Sequence, residues 1–329
     1  MSAHLRVVLA VAAASLALGP TRAAEVATAG TSAPRNGPRM LNGHVYQPTF
    51  LLTGPFTETS IGMATFAGTG QATGPRFNIG GFTAGTRSYD VGVYGQTLDL
   101  HLGITPDIAI RFEVQGLIFS GLTARDLLVA GATAQYGLSA GATFGKNLGG
   151  NTRLALVLDF GLDPQFSLLI GNAILNATQT RTFTGEGLRS NVERVRGAPG
   201  VSFAWSPIPA VGLLAEARYL WVRRITTDDS TSSKRQGQGI SVGGGVSVDF
   251  EQLWHFPLAV QGIYRGDFPF SSGSIAEVNQ TGLGFYYSRR VQLALGLELL
   301  WRHGDIRPGV EPSLKADAEI ATFWLRYYW

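Results

Sequence analysis

The chain has 329 residues, of which 45% are hydrophobic and only 15% charged, with 43 glycines, no cysteine and a formal net charge of +3. This is too apolar for a disordered chain and too poor in charge for an ordinary soluble domain, where about 25% charged residues is usual. Lack of cysteine excludes disulfides and thiolate metal sites, and the basic residues are interleaved with acids, so no concentrated patch argues for nucleic acid.

Residues 1–23 carry Arg6 in a short leading region, an apolar run from Leu5 to Leu18 and a small-residue exit at Thr21 to Ala24. The pattern predicts a secretory signal cleaved after Ala23 or Ala24. The run is too short to span a bilayer as a helix, and no later stretch predicts one. Residues 24–56 are rich in Pro, Gly, Thr and Ser, with Pro34, Pro38, Pro48 and Pro55; they predict an irregular segment tucked into a lumen or lying in the periplasm.

From residue 57 to 329 the chain reads as strands. Thr57 to Ala67 is a weak first strand, and Gly68 to Tyr89 is glycine-rich and loop-like, although Phe77 to Phe82 has pairing potential. Tyr94 to Ile104 and Asp107 to Phe119 alternate cleanly about a turn at Thr105 and Pro106, which predicts a hairpin. Leu128 to Gly145 and Thr152 to Leu162 follow about the NLGGN turn. After a long polar stretch through Arg194, Val195 to Trp205 leads through SPIPA into Val211 to Ile225. Thr226 to Gln238 reads as a solvated loop, and then come Gly239 to Glu251, Phe256 to Gly266, Gln280 to Ser288, Arg290 to His303 and a last strand ending at Trp329.

Arg290 to His303 shows the pattern most sharply. Val291, Leu293, Leu295, Leu297, Leu299 and Trp301 share one parity, and Arg290, Gln292, Ala294, Gly296, Glu298 and Arg302 the other; Leu300 alone is out of character. Successive side chains of a strand point to opposite faces, so each strand has one apolar and one polar or small face. A soluble sandwich would also produce this in a single strand. Recurrence of apolar rows long enough to cross a bilayer instead predicts an all-β transmembrane antiparallel up-and-down barrel, apolar outward and polar inward.

The connections alternate short and long along the chain: short at Pro106, Gly149, Pro207, His255 and Arg289, long at Gly121, Asn172, Asp229, Ser271 and Gly309. Outer-membrane barrels combine short periplasmic turns with longer outer loops. Eleven clear strands and the weak one near Ile61 give twelve, or fourteen if Val45 to Leu52 and Phe77 to Phe82 also join. Trp205, Trp254 and Trp329 fall at predicted periplasmic ends and Trp221 and Trp301 near outer ends, which with Tyr327 would form aromatic girdles; Trp324 falls on the inward row.

The last strand places Ala321, Phe323, Leu325, Tyr327 and the terminal Trp329 on one face. It resembles the C-terminal signature of Gram-negative outer-membrane β-barrel proteins, which implies an outer-membrane lipid environment and recognition by the barrel-assembly machinery. The general layout also resembles small barrels that transport hydrophobic or aromatic compounds. Asp317 and Glu319 continue the lipid-facing parity, so this strand must rise clear of the bilayer or bulge near Glu319.

The inward rows predict a lumen carrying Asp99, His101, Arg111, Glu113, Arg153, Asp159, Glu216, Arg218, Asp249, Glu251, Arg265, Glu298, Arg302 and Arg326. Opposed residues of a hairpin share a face, which predicts Asp99 beside Arg111 in a wall of mutually neutralising charges. A barrel of this size leaves room for a narrow polar pathway for small solutes, partly closed by the N-terminal segment or by the loop from Leu169 to Arg194. No cofactor is called for. Two other classes remain: a lipase- or protease-like barrel, for which His101 near Asp99 is the best pair though no inward serine accompanies it, and a structural or adhesive barrel acting through its loops. The Arg265-Gly266-Asp267 tripeptide is too short to carry the latter.

Overall fold

Parity, β-branched residues and aromatics favour extended backbone over helix here, and strands dominate the computed structural model. The structure describes residues 39–74, 77–79, 82–84, 87–123, 126–127, 131–168, 181–182, 189–228, 232–270, 275, 277–305 and 315–329. The signal-like residues and most of the loop from Leu169 lie outside them.

In chain order the elements begin with a small hairpin, β1 (Met40–Leu41) and β2 (His44–Val45), then β3 (Ser60–Gly74), a second hairpin, β4 (Phe77–Ile79) and β5 (Phe82–Ala84), and β6 (Arg87–Thr105). Next come β7 (Ile108–Gly121), β8 (Ala132–Asn147), β9 (Thr152–Leu162), β10 (Gln165–Leu168), β11 (Arg189–Gly197), β12 (Gly200–Ile208), β13 (Val211–Asp228) and β14 (Ser232–Asp249). A short helix, α1 (Phe250–Trp254), precedes β15 (Leu258–Pro269), β16 (Val278–Tyr287), β17 (Leu293–Asp305) and β18 (Lys315–Tyr328).

Fourteen of these segments make one antiparallel sheet that closes on itself, with β18 pairing β3 from Lys315↔Thr73 to Tyr328↔Ser60. Two pairs of segments are each one strand interrupted at a proline. β9 and β10 both pair β8, through Leu138↔Leu162 and Gln135↔Gln165, and are separated by Asp163 and Pro164. β11 and β12 both pair β13 and are separated by Ala198 and Pro199. Proline has no N–H for the ladder, so pairing lapses there and resumes. Fourteen segments therefore occupy twelve positions around the wall. The segments reach fourteen by this route and not by the expected one, because β2 pairs only β1 and β4 pairs only β5.

The outer surface is apolar. Leu98, Val114, Ile118, Leu138, Phe160 and Leu325 stand on it, with Phe160 64% exposed. No soluble wall tolerates so continuous an apolar surface, so the arrangement is that of a membrane-spanning barrel, apolar side chains outward and polar ones inward. The core lies inside the ring: Leu41, Tyr46, Leu51, Leu52 and Phe56 pack against Ala204, Leu214, Ile263 and Leu300.

Several boundaries differ from expectation. β3 starts at Ser60 and runs to Gly74, and β6 begins at Arg87, so both ends of the glycine-rich stretch read as loop are wall. Thr226 to Asp228 and Ser232 to Gln238 are also strand: β13 and β14 stay paired out to Thr227↔Ser232, because a two-sided polar ladder can project into water beyond the apolar band. β14 ends at Asp249, whose carboxylate accepts from Glu251 N and caps α1, so Asp249 and Glu251 do not line a passage. Trp254 sits in that helix, stacked on Phe250 with ring centroids 5.2 Å apart, and not at a strand end. The ladder on both sides of Glu319 keeps its register, so the strand does not bulge; Asp317 pairs with His303 on the exposed outer wall, one step beyond Trp301↔Glu319.

Candidate functional site

An irregular segment inside a closed wall must find partners for every N–H and C=O, because no water or ladder is assured there. Residues 39–59 do so by engaging the inward charges. At the short-turn mouth, Asn42 N donates to Gly150 O at 3.1 Å and Asn42 Nδ2 to Ser206 O at 3.1 Å. Arg39 donates to Val291 O from Nε at 3.1 Å and Nη2 at 2.7 Å, to Tyr46 O at 2.9 Å, and lies 4.1 Å over the Tyr328 ring. His44 is fully buried, with Nδ1 3.1 Å from Pro209 O and Nε2 2.7 Å from Ser247 Oγ. The carbonyl can only accept, so Nδ1 carries the hydrogen and Nε2 accepts from the serine. Burial pushes the His44 pKa down to about 4, against a smaller opposing effect of the Pro209 carbonyl.

Deeper in the ring, Phe50 N donates to both oxygens of Glu298, while the Tyr286 hydroxyl lies between that carboxylate and Pro48 O, 2.6 Å from the latter. Thr53 is held on three sides: its N donates to Glu216 Oε2 at 2.8 Å, its O accepts from Ser202 Oγ at 2.6 Å, and its Oγ1 accepts from Arg111 at 2.9 Å. Arg265 donates to Leu51 O at 3.1 Å. Arg153 donates to Pro55 O at 2.7 Å, Thr57 Oγ1 at 2.8 Å and Pro106 O at 2.7 Å. Phe50 also meets Phe66 and Trp324 edge-on, at centroid distances of 5.4 and 6.3 Å.

The expected charged wall is thus present, with a different wiring. Asp159 lies between Arg111 and Arg218, and Arg218 Nε reaches Glu216 Oε1 at 2.7 Å. The expected pair of Asp99 with Arg111 does not form. The register sets Asp99 opposite Glu113 and Arg111 opposite His101, with an irregularity between Gly103 and Thr105, and Arg326 of β18 reaches Asp99 at 2.7 Å across Gly62 of the intervening β3. His101 Nε2 is 3.8 Å from Asp99 Oδ2. Arg265 and Asp267 pair within β15 at 3.0 Å, which places the tripeptide in the wall and not in a loop.

Beyond the segment lies a cavity of about 550 Å³. It is lined by Asp99, His101, Arg111, Glu113, Asp159, Arg218, Arg265, Arg302 and Arg326 from the expected set, whereas Arg153, Glu216 and Glu298 are taken up by the segment beneath. Further charged residues line it as well: Arg39 and Glu58 from the segment, Asp163 and Arg194 from the stretch read as polar, Arg196 and Arg224 from expected strands, and Asp267 just past the expected strand end at Gly266. The signal was available in the polar stretch: Val192 and Arg194 keep the inward parity of β11 with Arg196, but no apolar outward row marks them as wall. Of the aromatic set, Trp205, Trp301, Tyr327 and Trp329 are exposed, Trp221 is half-buried, and Trp324 is buried inside as expected.

The geometry defines a membrane barrel filled at one end and hollow at the other. No family model and no curated protein matches this chain. Similar solved structures include the β domain of the Bordetella autotransporter BrkA, with 12% identity, coverage of 83% of this chain and 100% of that one, and a TM-score of 0.49. The Pseudomonas putida toluene transporter TodX has 10% identity, coverage of 82% and 89%, and a TM-score of 0.41. The KdgM porin in complex with oligogalacturonate has 7% identity, coverage of 81% and 99%, and a TM-score of 0.39.

Proposed function

We propose that this protein is an outer-membrane channel for small solutes, closed at its periplasmic end by residues 39–59. The observation that carries this reading is the cavity of about 550 Å³ standing directly on that segment, within a wall whose inward face is polar. A wet lumen removes the cost of taking a polar solute through hydrocarbon, and the width and charge of the lining choose the solute. Passage requires the segment to shift, because Arg111, Glu216 and Arg265 all hold it across the ring.

We read the barrel as a conduit and not as an enzyme. His101 approaches only a carboxylate that Arg326 already engages, so the pair is a poor base for a nucleophile. The C-terminal strand, with Tyr327 and Trp329 stacked on the outer face, supports recognition by the barrel-assembly machinery.

The test is single-channel conductance of the refolded protein in a planar bilayer, beside a variant lacking residues 24–56. Rare small steps for the full chain and larger, more frequent ones for the deletion are expected. If the folded deletion variant is silent, the conduit reading fails.

A further inference from the structure

The hollow end of the lumen holds an arrangement that the wall does not need. Arg194 and Arg224 are directly opposed across β11 and β13, and Arg224 is directly opposed to Arg235 across β13 and β14. Like charges facing each other across a ladder oppose pairing, so three guanidinium groups in one row are not there to stabilise the sheet. On the next strands around the wall, Arg265, Gln280 and Arg302 form another row across β15, β16 and β17. Arg302 is within electrostatic range of Arg194, Arg265 and Asp267, so the two rows act on the same space.

The described acidic residues nearest this space are each engaged by another arginine. Asp163 pairs with Arg196 at 3.2 Å and Asp267 with Arg265 at 3.0 Å. Arg194 and Arg302 are in no ion pair with a described residue, and Arg194 Nε has no hydrogen-bond partner among the described residues. A guanidinium held deep in a lumen with open donors is matched by an oxygen anion, which it grips with two parallel hydrogen bonds. Between its charged and polar groups the lining has an apolar portion: Leu117, Phe119, Leu220, Val222, Val278 and Ile320. Apolar walls with a few convergent polar groups select a ligand with an apolar body and one polar end.

We infer that the cavity binds a small organic carboxylate, its apolar body against Leu117, Phe119, Val222 and Ile320 and its carboxylate between Arg194 and Arg302. This deepens the conduit reading by naming a solute class, and it rests on that reading only for transport and not for binding. The side chains face the lumen and not the lipid, so a solute is the occupant and a lipid phosphate is not.

The test is calorimetric binding of benzoate to the folded full-length protein in detergent, with benzyl alcohol, benzylamine and inorganic phosphate as comparison probes. Benzoate is expected to bind at least about ten-fold more tightly than the neutral alcohol, one charge-assisted contact being worth at least that factor, and benzylamine not to bind. Arg194→Gln and Arg302→Gln are each expected to raise the benzoate Kd about ten-fold or more, and Arg302→Lys to recover part of the loss. Lys146→Gln, exposed near the end of β8, is expected to leave it unchanged. The proposal is overturned if benzyl alcohol binds as well as benzoate, if phosphate binds better, if no probe binds, or if both folded glutamine variants bind benzoate normally. The wild-type probe series decides the matter even if one variant fails to fold. A barrel that binds benzoate yet conducts nothing in the bilayer keeps this site and loses the conduit.

Discussion

Phe50 N donates to both carboxylate oxygens of Glu298, at 3.3 and 3.1 Å, and Glu298 is completely buried. An acid on the lumen face of β17 thereby serves a backbone amide from a segment 248 residues earlier. The charge is a fastening for the segment, and its removal orphans the Phe50 amide and deprives the Tyr286 hydroxyl of a partner.

Glu298→Ala is accordingly expected to weaken seating of residues 39–59 by about 2–3 kcal/mol, the cost of buried polar groups left unpaired. Limited proteolysis of the folded barrel should show faster cleavage between residues 39 and 59. An unchanged cleavage rate would remove Glu298 from the role.

Leu300 makes the complementary case. It breaks the inward parity of small and polar residues on β17, is 2% exposed, and packs with Leu51, Leu52 and Phe56. Leu300→Ala is expected to cost about 2–4 kcal/mol through lost burial and a cavity. The readout is the temperature at which the folded form converts to the slower-migrating form on a gel.

A residue that looked like an error in the pattern is therefore its most informative position. The wall was legible because lipid demands apolar side chains at every second place, and β9 begins and ends at the residues its sequence indicates. The filling was only half legible. The composition of residues 24–56 indicated an irregular segment, but which charges would hold it depends on register and neighbours. Asp99 shows this: its hairpin suggested Arg111, while Arg326, from the far end of the chain, reaches it across Gly62 of β3. Pro164 hid the continuity of one wall strand for a similar reason, since it interrupts the local pattern without ending the strand, whereas Val195 to Trp205 reads as one strand through Pro199.

Gly212 faces His44 so closely that a Cβ there would overlap the imidazole, whose Cδ2 and Nε2 are its nearest neighbours. Gly212→Val is expected to unseat the β1–β2 hairpin while leaving the wall paired. Conductance events should become as frequent as in the deletion of residues 24–56, with far-UV circular dichroism unchanged.

His44 also sets a pH dependence. Its pKa falls from 6.5 in the unfolded chain to about 4 when seated, so between those values the unseated form binds more protons. Its contribution to stability is fully present above about pH 6.5, declines as the pH falls, and is lost below about 4. Proteolytic release of residues 39–59 should rise across that window. In His44→Gln, which has no proton to gain there, the part of the slope due to this position should vanish; persistence of the whole slope would assign it to other groups.

Arg39 binds Val291 O, an acceptor 252 residues away, in the turn before β17. Its seat does not exist until nearly the whole chain has arrived, and the seam between β3 and β18 joins the same two regions. The filling and the closing seam thus both rest on contacts of very large sequence separation. The chain wraps its cylinder about its own beginning as about a mandrel, and a barrel shut before that segment entered would have to reopen to admit it.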